Sequence, residues 1–210
     1  MVAEPTLDIE RALFATGVPL IIGLDEVGRG AMAGPVMVGA CAIKPSVGDF
    51  PAGLRDSKLV SAKKRLELAP LVREWGVIAV GSATPAEIDQ FGITWALGLA
   101  GKRALALLFE SGVDVASAHA LLDGSHDWLS PVLASPIRIQ TRVKADQDCA
   151  SVSAASVAAK VERDELMGIL AVDFAQYGWD SNKGYGSAAH MEAIATIGIT
   201  PHHRASWVKS

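Results

Sequence analysis

Leu20-Ile21-Ile22-Gly23-Leu24 is an apolar run that stops at two adjacent carboxylates, Asp25 and Glu26, and then breaks into Gly28-Arg29-Gly30. A short run rich in Ile and Leu and bounded by glycine reads as a buried strand, so the two carboxylates sit where that strand leaves its sheet. Behind Gly34-Pro35, the run Val36-Met37-Val38-Gly39-Ala40-Cys41-Ala42-Ile43 predicts a second strand paired with the first as a hairpin. Gly76 to Ala83 predicts a third strand. Ala118 to Leu122 predicts a short fourth one that ends at Asp123-Gly124, repeating the device of an apolar run closed by a carboxylate. Ile137 to Val143 alternates apolar and polar side chains, as a half-buried strand does, and runs into Lys144-Ala145-Asp146.

Helical patterns fill the intervals. Pro5 to Ala15 places Leu7, Ile9, Leu13 and Phe14 on one side and is closed by Gly17 and Pro19. Lys44 to Leu54, rich in Pro and Gly, is a loop that delivers Asp56-Ser57-Lys58, after which Ser61 caps a helix reaching about Trp75. Thr84-Pro85 with Glu87 starts a helical turn. Gly92 to Phe109 predicts a long buried helix whose Gly98 and Gly101 imply close packing on the sheet, with Lys102-Arg103 on a solvated face. The small residues from Ser151 to Ala159 predict a helix lying close to the sheet, and Lys160 and Asp164, four apart, form a helix-face pair. A capped helix from Ala188 carries His190, and Thr200-Pro201-His202-His203-Arg204 follows.

The chemistry concentrates at the strand ends. Adjacent carboxylates repel each other and lose hydration unless a cation or hydrogen-bond donors compensate, which makes a divalent metal their natural partner. Glycines beside them let backbone amides approach a ligand, so the stretch suits a phosphate ester. Taken alone, the same residues also describe an inert turn. Gly28-x-Gly30-x-x-Ala33 matches a dinucleotide fingerprint, but that fingerprint needs a helix to open at the glycines, and a second strand follows here instead. The paired His202 and His203 suit zinc better than a carboxylate-built magnesium site and read as structural or phosphate-facing.

Composition narrows the setting. With 210 residues, half of them hydrophobic, the chain can build one sizeable core, and one domain is expected. A net charge of −4 and a pI near 5.7 argue against a broad basic surface, so any nucleic acid would be held by local basic groups and metals. Cys41 and Cys149 have no metal-ligand spacing and predict buried thiols in a reducing, cytoplasmic protein. No signal peptide or membrane span is expected.

Asp25-Glu26-Val27-Gly28-Arg29-Gly30 with Gly34-Pro35-Val36, the Asp123-Gly124 strand end, Lys144-Ala145-Asp146 with Ser151 to Asp164, and Gly184-Tyr185 together resemble the type 2 ribonucleases H (RNase HII). The resemblance covers most of the chain. It implies a ribonuclease-H-like α/β fold, with a five-stranded mixed sheet of three antiparallel then two parallel strands, flanked by helices. A helical C-terminal segment of about 176–210 would complete the substrate groove of a single domain, 1–210. Asp25, Glu26, Asp123 and Asp146 would hold Mg2+ or Mn2+, and such a cluster can bind two ions about 3.5–4 Å apart. Gly28, Arg29 and Gly30 would contact the substrate, with Ser57, Lys58 and Lys144 as phosphate contacts and Tyr185 packed on a sugar. The implied reaction is endonucleolytic hydrolysis of RNA in RNA/DNA hybrids and 5′ to ribonucleotides embedded in DNA, leaving 3′-hydroxyl and 5′-phosphate ends, by a monomer. A binding protein without catalysis is the alternative, and a dinucleotide binder a weaker one. One departure stands out: where the family shows His-Arg followed by a basic residue, Ser and Phe, this chain reads Arg204-Ala205-Ser206-Trp207, which puts the terminal basic contact in doubt.

Overall fold

The computed structural model describes residues 4–208. Its sheet has five strands, β1 (Ile21–Val27), β2 (Val36–Ile43), β3 (Val77–Ala83), β4 (His119–Asp123) and β5 (Arg138–Arg142), in the order β3-β2-β1-β4-β5. β2 pairs antiparallel with both β1 and β3, and β4 and β5 run parallel to β1. The glycines at 28 and 30 therefore join two antiparallel strands, which overturns the dinucleotide reading: no helix opens at them. The helices are α1 (Asp8–Ala15), α2 (Ala62–Trp75), α3 (Pro85–Phe91), α4 (Ile93–Glu110), α5 (Ala145–Asp148), α6 (Ala150–Asp173), α7 (Trp179–Asn182) and α8 (Ala188–Ile197).

Strand periodicity sends alternate side chains of β1 to opposite faces. Ile22 and Leu24 join a core with Leu97, Ala104 and Leu108 of α4. Ile21 joins the opposite core with α1, α2 and α6, so Asp25, two pairs further along, shares the α6 face. That face is lined for close approach. A Cβ built on Gly23 would stand 2.4 Å from the Ser151 carbonyl carbon, and one on Gly39 would stand 2.2 Å from the Ala155 oxygen. The small-residue stretch of α6 is thus matched by glycines in the strands. Replacing Gly23 by alanine forces backbone apart, an overpacking effect; the expected cost is about 3 kcal/mol, read as a fall in Tm of roughly 6–12 °C.

Three local expectations change. The first helix starts at Asp8, because Thr6 pairs its backbone with Asp148 and Ala150 and so leaves the helical path. Gly98 and Gly101 face Trp128, Leu129 and Val132 in the segment after β4; the close contact of α4 with the sheet comes from Gly81 of β3, whose Cβ would stand 2.1 Å from the Ala100 oxygen. Arg103 is tied in a two-pronged pair with Glu87, at 2.9 and 2.6 Å, and is not merely solvated. The caps at Ser61, Thr84 and Ser187 form as expected. A smaller cluster, with Ala33, Met167, Tyr177, Trp179 and Ile194, docks the C-terminal helices beside the β1–β2 connection. Among the described residues no helix is long and apolar enough to cross a membrane.

Candidate active site

The parallel register sets Leu24 beside Leu122 as the last pair between β1 and β4, so Asp25 and Asp123 follow side by side where that pairing ends, while Asp25 stays paired with Gly39 of β2 and Asp123 with Arg142 of β5. Asp146 arrives from the adjoining strand through Lys144, whose left-handed φ of 62° turns the chain into α5. The Asp146 amide lies 3.4 Å from Asp123 Oδ1, and Ser153 of α6 donates to the Asp146 carbonyl at 2.7 Å. Glu26 follows Asp25 and donates its amide to Asp25 Oδ1 at 2.8 Å. β1, β4 and α5 thereby gather all four expected carboxylates at one end of the sheet.

Their electrostatics are those of an under-compensated cluster. Burial is the main force on Asp25; repulsion from Glu26 and Asp123 adds to it, against a hydrogen bond from Ser156, and the carboxyl titrates well above its usual range. Burial, Asp123 and Asp56 push Asp146 up to about 6. Lys58 stands among them, its Nζ 3.7 Å from Asp146 Oδ2. Burial alone would depress that ammonium, but Asp25, Asp56, Asp146 and Asp123 outweigh it and raise it. Among the described residues no three His, Cys, Asp or Glu side chains close tightly enough to enclose an ion, as expected of carboxylates that repel each other around one ammonium. The donor set is hard oxygen throughout, which fits magnesium or manganese and not zinc.

Asp56 is a fifth carboxylate at this site that the strand-end pattern did not reveal. It is buried, accepts the Lys58 amide at 2.9 Å and lies 3.5 Å from the Gln147 side-chain amide. In the sequence it stands in the turn Asp56-Ser57-Lys58, outside any strand end. Ser57 is also buried, its hydroxyl 2.9 Å from that of Ser156. Lys58 is the exposed member of the turn, and Lys144 is exposed as well.

The loop from Gly28 to Gly34 is held from beneath by two buried arginines. Arg204 donates to the carbonyls of Gly28 (2.6 Å), Arg29 (2.8 Å) and Gly34. Arg163 of α6 donates to Ala33, Pro35 and Lys183. No carboxylate pairs with either guanidinium among the described residues; main-chain oxygens alone receive them. Burial lowers both, Arg204 to about 10. Gly28 has φ +78°, and a Cβ there would stand 2.1 Å from Arg163 Nε, whereas nothing lies within 4 Å of one on Gly30. Trp207 covers the Arg204 guanidinium at 4.8 Å, so the altered C-terminal sequence packs on this anchor. Tyr185 is partly exposed between Gly184 and Gly186, with the Arg163 guanidinium carbon 5.6 Å from its ring centre.

Known proteins resemble this chain in sequence and in fold. The family model for ribonuclease HII matches residues 22–210. Ribonuclease HII of Streptomyces coelicolor is 48% identical over 205 residues, covering 97% of this chain and 83% of that protein. Ribonuclease HII of Rhizorhabdus wittichii is 42% identical over 207 residues, covering 98% and 94%. Among solved structures, the RNase HII of the Archaeoglobus fulgidus PCNA:RNase HII complex superposes with TM-score 0.69 at 27% identity, over 91% of this chain and 96% of that one. Bst-RNase HIII in complex with Mn2+ gives TM-score 0.69 at 25% identity, over 86% and 63%. A carboxylate cluster at the end of a ribonuclease-H-like sheet, beside a glycine loop, in a sequence matched over nearly its full length, places the chain in the ribonuclease HII family of endoribonucleases.

Proposed function

We propose that this chain hydrolyses the RNA strand of RNA/DNA hybrids and cuts 5′ to single ribonucleotides in duplex DNA, leaving 3′-hydroxyl and 5′-phosphate ends. The observation that carries this reading is the juxtaposition of the carboxylates of Asp25, Glu26, Asp123 and Asp146 with the Gly28–Gly30 backbone. Those carboxylates would hold Mg2+ or Mn2+, which when bound supplies an activated water and charge neutralisation at the leaving oxygen. The chain's own part is to hold, orient and select.

Selection follows from the arginine beneath the loop. In a planar trans peptide the C=O and N–H point in opposite directions. With the Gly28 and Arg29 carbonyls drawn inward by Arg204, the amides of Arg29 and Gly30 face outward, where they can meet a ribose 2′-hydroxyl, the group that tells RNA from DNA. Lys58 and Lys144, with the turn at Ser57, would meet phosphates. The Tyr185 ring would pack on a sugar next to the scissile bond. We also infer that the chain works as one domain and as a cytoplasmic monomer, its segment 176–210 completing the groove. All four carboxylates come from one chain, and Cys41 and Cys149 are buried free thiols, as in a reducing compartment.

The test compares duplexes carrying a ribose, a 2′-deoxyribose or a 2′-O-methyl ribose at one position, across all four bases, with magnesium. Cutting should require the free hydroxyl by orders of magnitude, because a site built to bond it leaves polar groups unpaired without it. Base identity should matter little. Cleavage of the 2′-O-methyl duplex at the ribose rate would sink the reading. A second expectation concerns Tyr185: Tyr185→Ala should weaken cleavage more than Tyr185→Phe, since stacking uses the ring face. Equal losses in the two variants would assign the work to the hydroxyl.

A further inference from the structure

Two histidines that take no part in the carboxylate cluster lie beneath Tyr185. His190 and His203 are buried among the rings of Tyr177 and Trp179. Their proton positions follow from their partners. A carbonyl oxygen can only accept, so His190 Nδ1, 2.9 Å from the Tyr185 oxygen, carries a hydrogen. An indole N–H can only donate, so His190 Nε2, 3.0 Å from Trp179 Nε1, carries none. His190 is thereby the neutral Nδ1–H tautomer. His203 Nε2 lies 3.1 Å from the same bare nitrogen and donates to it. That leaves His203 Nδ1 to accept the Thr200 amide at 2.9 Å. Burial and the adjacent His190 hold His203 down at about 4, so it is uncharged at neutral pH. The four ring nitrogens thus form one directed chain of hydrogen bonds, from the Thr200 amide through both imidazoles to the Tyr185 carbonyl.

We propose that this imidazole pair positions Tyr185, fixing the main chain from which its ring projects toward the substrate. The Ser187 amide holds the same carbonyl from within the turn at 2.8 Å; His190 ties it to the packed interior. The need for such a tie is visible in the turn, where glycines flank Tyr185 and Lys183 adopts φ +52°. Arg163, the cation over the ring, bonds Lys183 at the other end of that turn. The two anchors thus grip the turn from opposite ends. His190 and His203 are positioning residues here, so that of the sequence pair His202-His203 it is His203 that takes the structural role.

The proposal rests on Tyr185 being a substrate-contacting ring, and the test separates the two. On the unaltered protein at pH 7, nitrogen-15 NMR of the imidazoles should show His190 protonated at Nδ1 alone; an Nε2–H or doubly protonated His190 overturns the proposal. The side-chain amide of His190→Asn falls where Nδ1 was, and that of His190→Gln where Nε2 was. On a duplex with one ribonucleotide, His190→Gln should raise KM about fivefold, the worth of one hydrogen bond, with kcat within about twofold. His190→Asn should restore most of the loss. In a Tyr185→Ala background, His190→Gln should add nothing. Equal impairment by Asn and Gln, or none by either, removes the relay. His203→Gln, which still donates toward His190, and His203→Leu, which does not, repeat the comparison one step back along the chain should the His190 variants fail to fold. If Tyr185→Ala itself leaves cleavage unchanged, the reading of Tyr185 falls; if it impairs cleavage while His190→Gln does not, only the relay falls.

Discussion

Asp25→Asn and Asp123→Asn should each abolish cleavage while substrate affinity stays within about tenfold, because each removes charge from the metal-holding cluster but only one group from a larger contact surface. Asp25→Asn should not lose stability without metal. Asp25 binds its proton more tightly folded than unfolded, since burial and then Glu26 and Asp123 raise it. Its ionised form therefore opposes folding at every pH above the unfolded value, and a neutral amide removes that opposition. Thermal melts should show Asp25→Asn at least as stable as the parent without magnesium, and less stabilised when magnesium is added. Near-normal turnover by either folded variant under saturating magnesium would dismantle the carboxylate site.

Gly28→Ala should be the most damaging change in the loop, and Gly30→Ala nearly harmless to the fold. At Gly28 a methyl group would collide with the Arg163 guanidinium and would also force an alanine into the left-handed region, which costs about 1–2 kcal/mol by itself. Displacing Arg163 disturbs Ala33, Pro35 and Lys183 together. A shift of about 1 Å in a positioning element can cost a hundredfold, so cleavage at a single ribonucleotide should fall by about that factor. Gly30 has open space around it, so alanine there should leave Tm unchanged, and any loss would report contact with substrate. Equal Tm values for the two variants would contradict the crowding at Gly28.

The sheet was legible because its strands are short apolar runs that end in carboxylates or glycines, a pattern that fixes both the strand and the edge where it stops. Asp25, Glu26 and Asp123 could be found that way. Asp146 could not: it lies in a four-residue helix after a strand, and only the likeness to a family singled it out. Arg163 and Arg204 escaped for a different reason. A charged side chain in a helix or tail reads as surface, and nothing local reveals that its partners are main-chain oxygens, all but that of Lys183 lying 128 to 176 residues away. Gly98 and Gly101 show the limit from the other side: a glycine in a helix announces that something comes close without saying what. The sequence paired His203 with its neighbour His202, but its partner in the relay is His190, and the tautomers depend on Trp179 and the Tyr185 carbonyl, which the fold alone brings together.

The tie between Arg204 and the Gly28–Gly30 loop also orders events during synthesis. Gly34 donates its amide to the His202 carbonyl, Arg204 donates its own to Met32, and the Arg204 guanidinium reaches back 176 residues to Gly28. A nascent chain extended as far as α8 already has every carboxylate, every strand and all of α6. It lacks the segment that turns the loop carbonyls inward. Contacts of such long sequence separation carry a loop-closure cost that must be met before they form, so under the proposed function the ability to tell ribose from deoxyribose would come after the strands and α6 are made. Until residue 204 leaves the ribosome, the carboxylate edge would stand without its proposed reader.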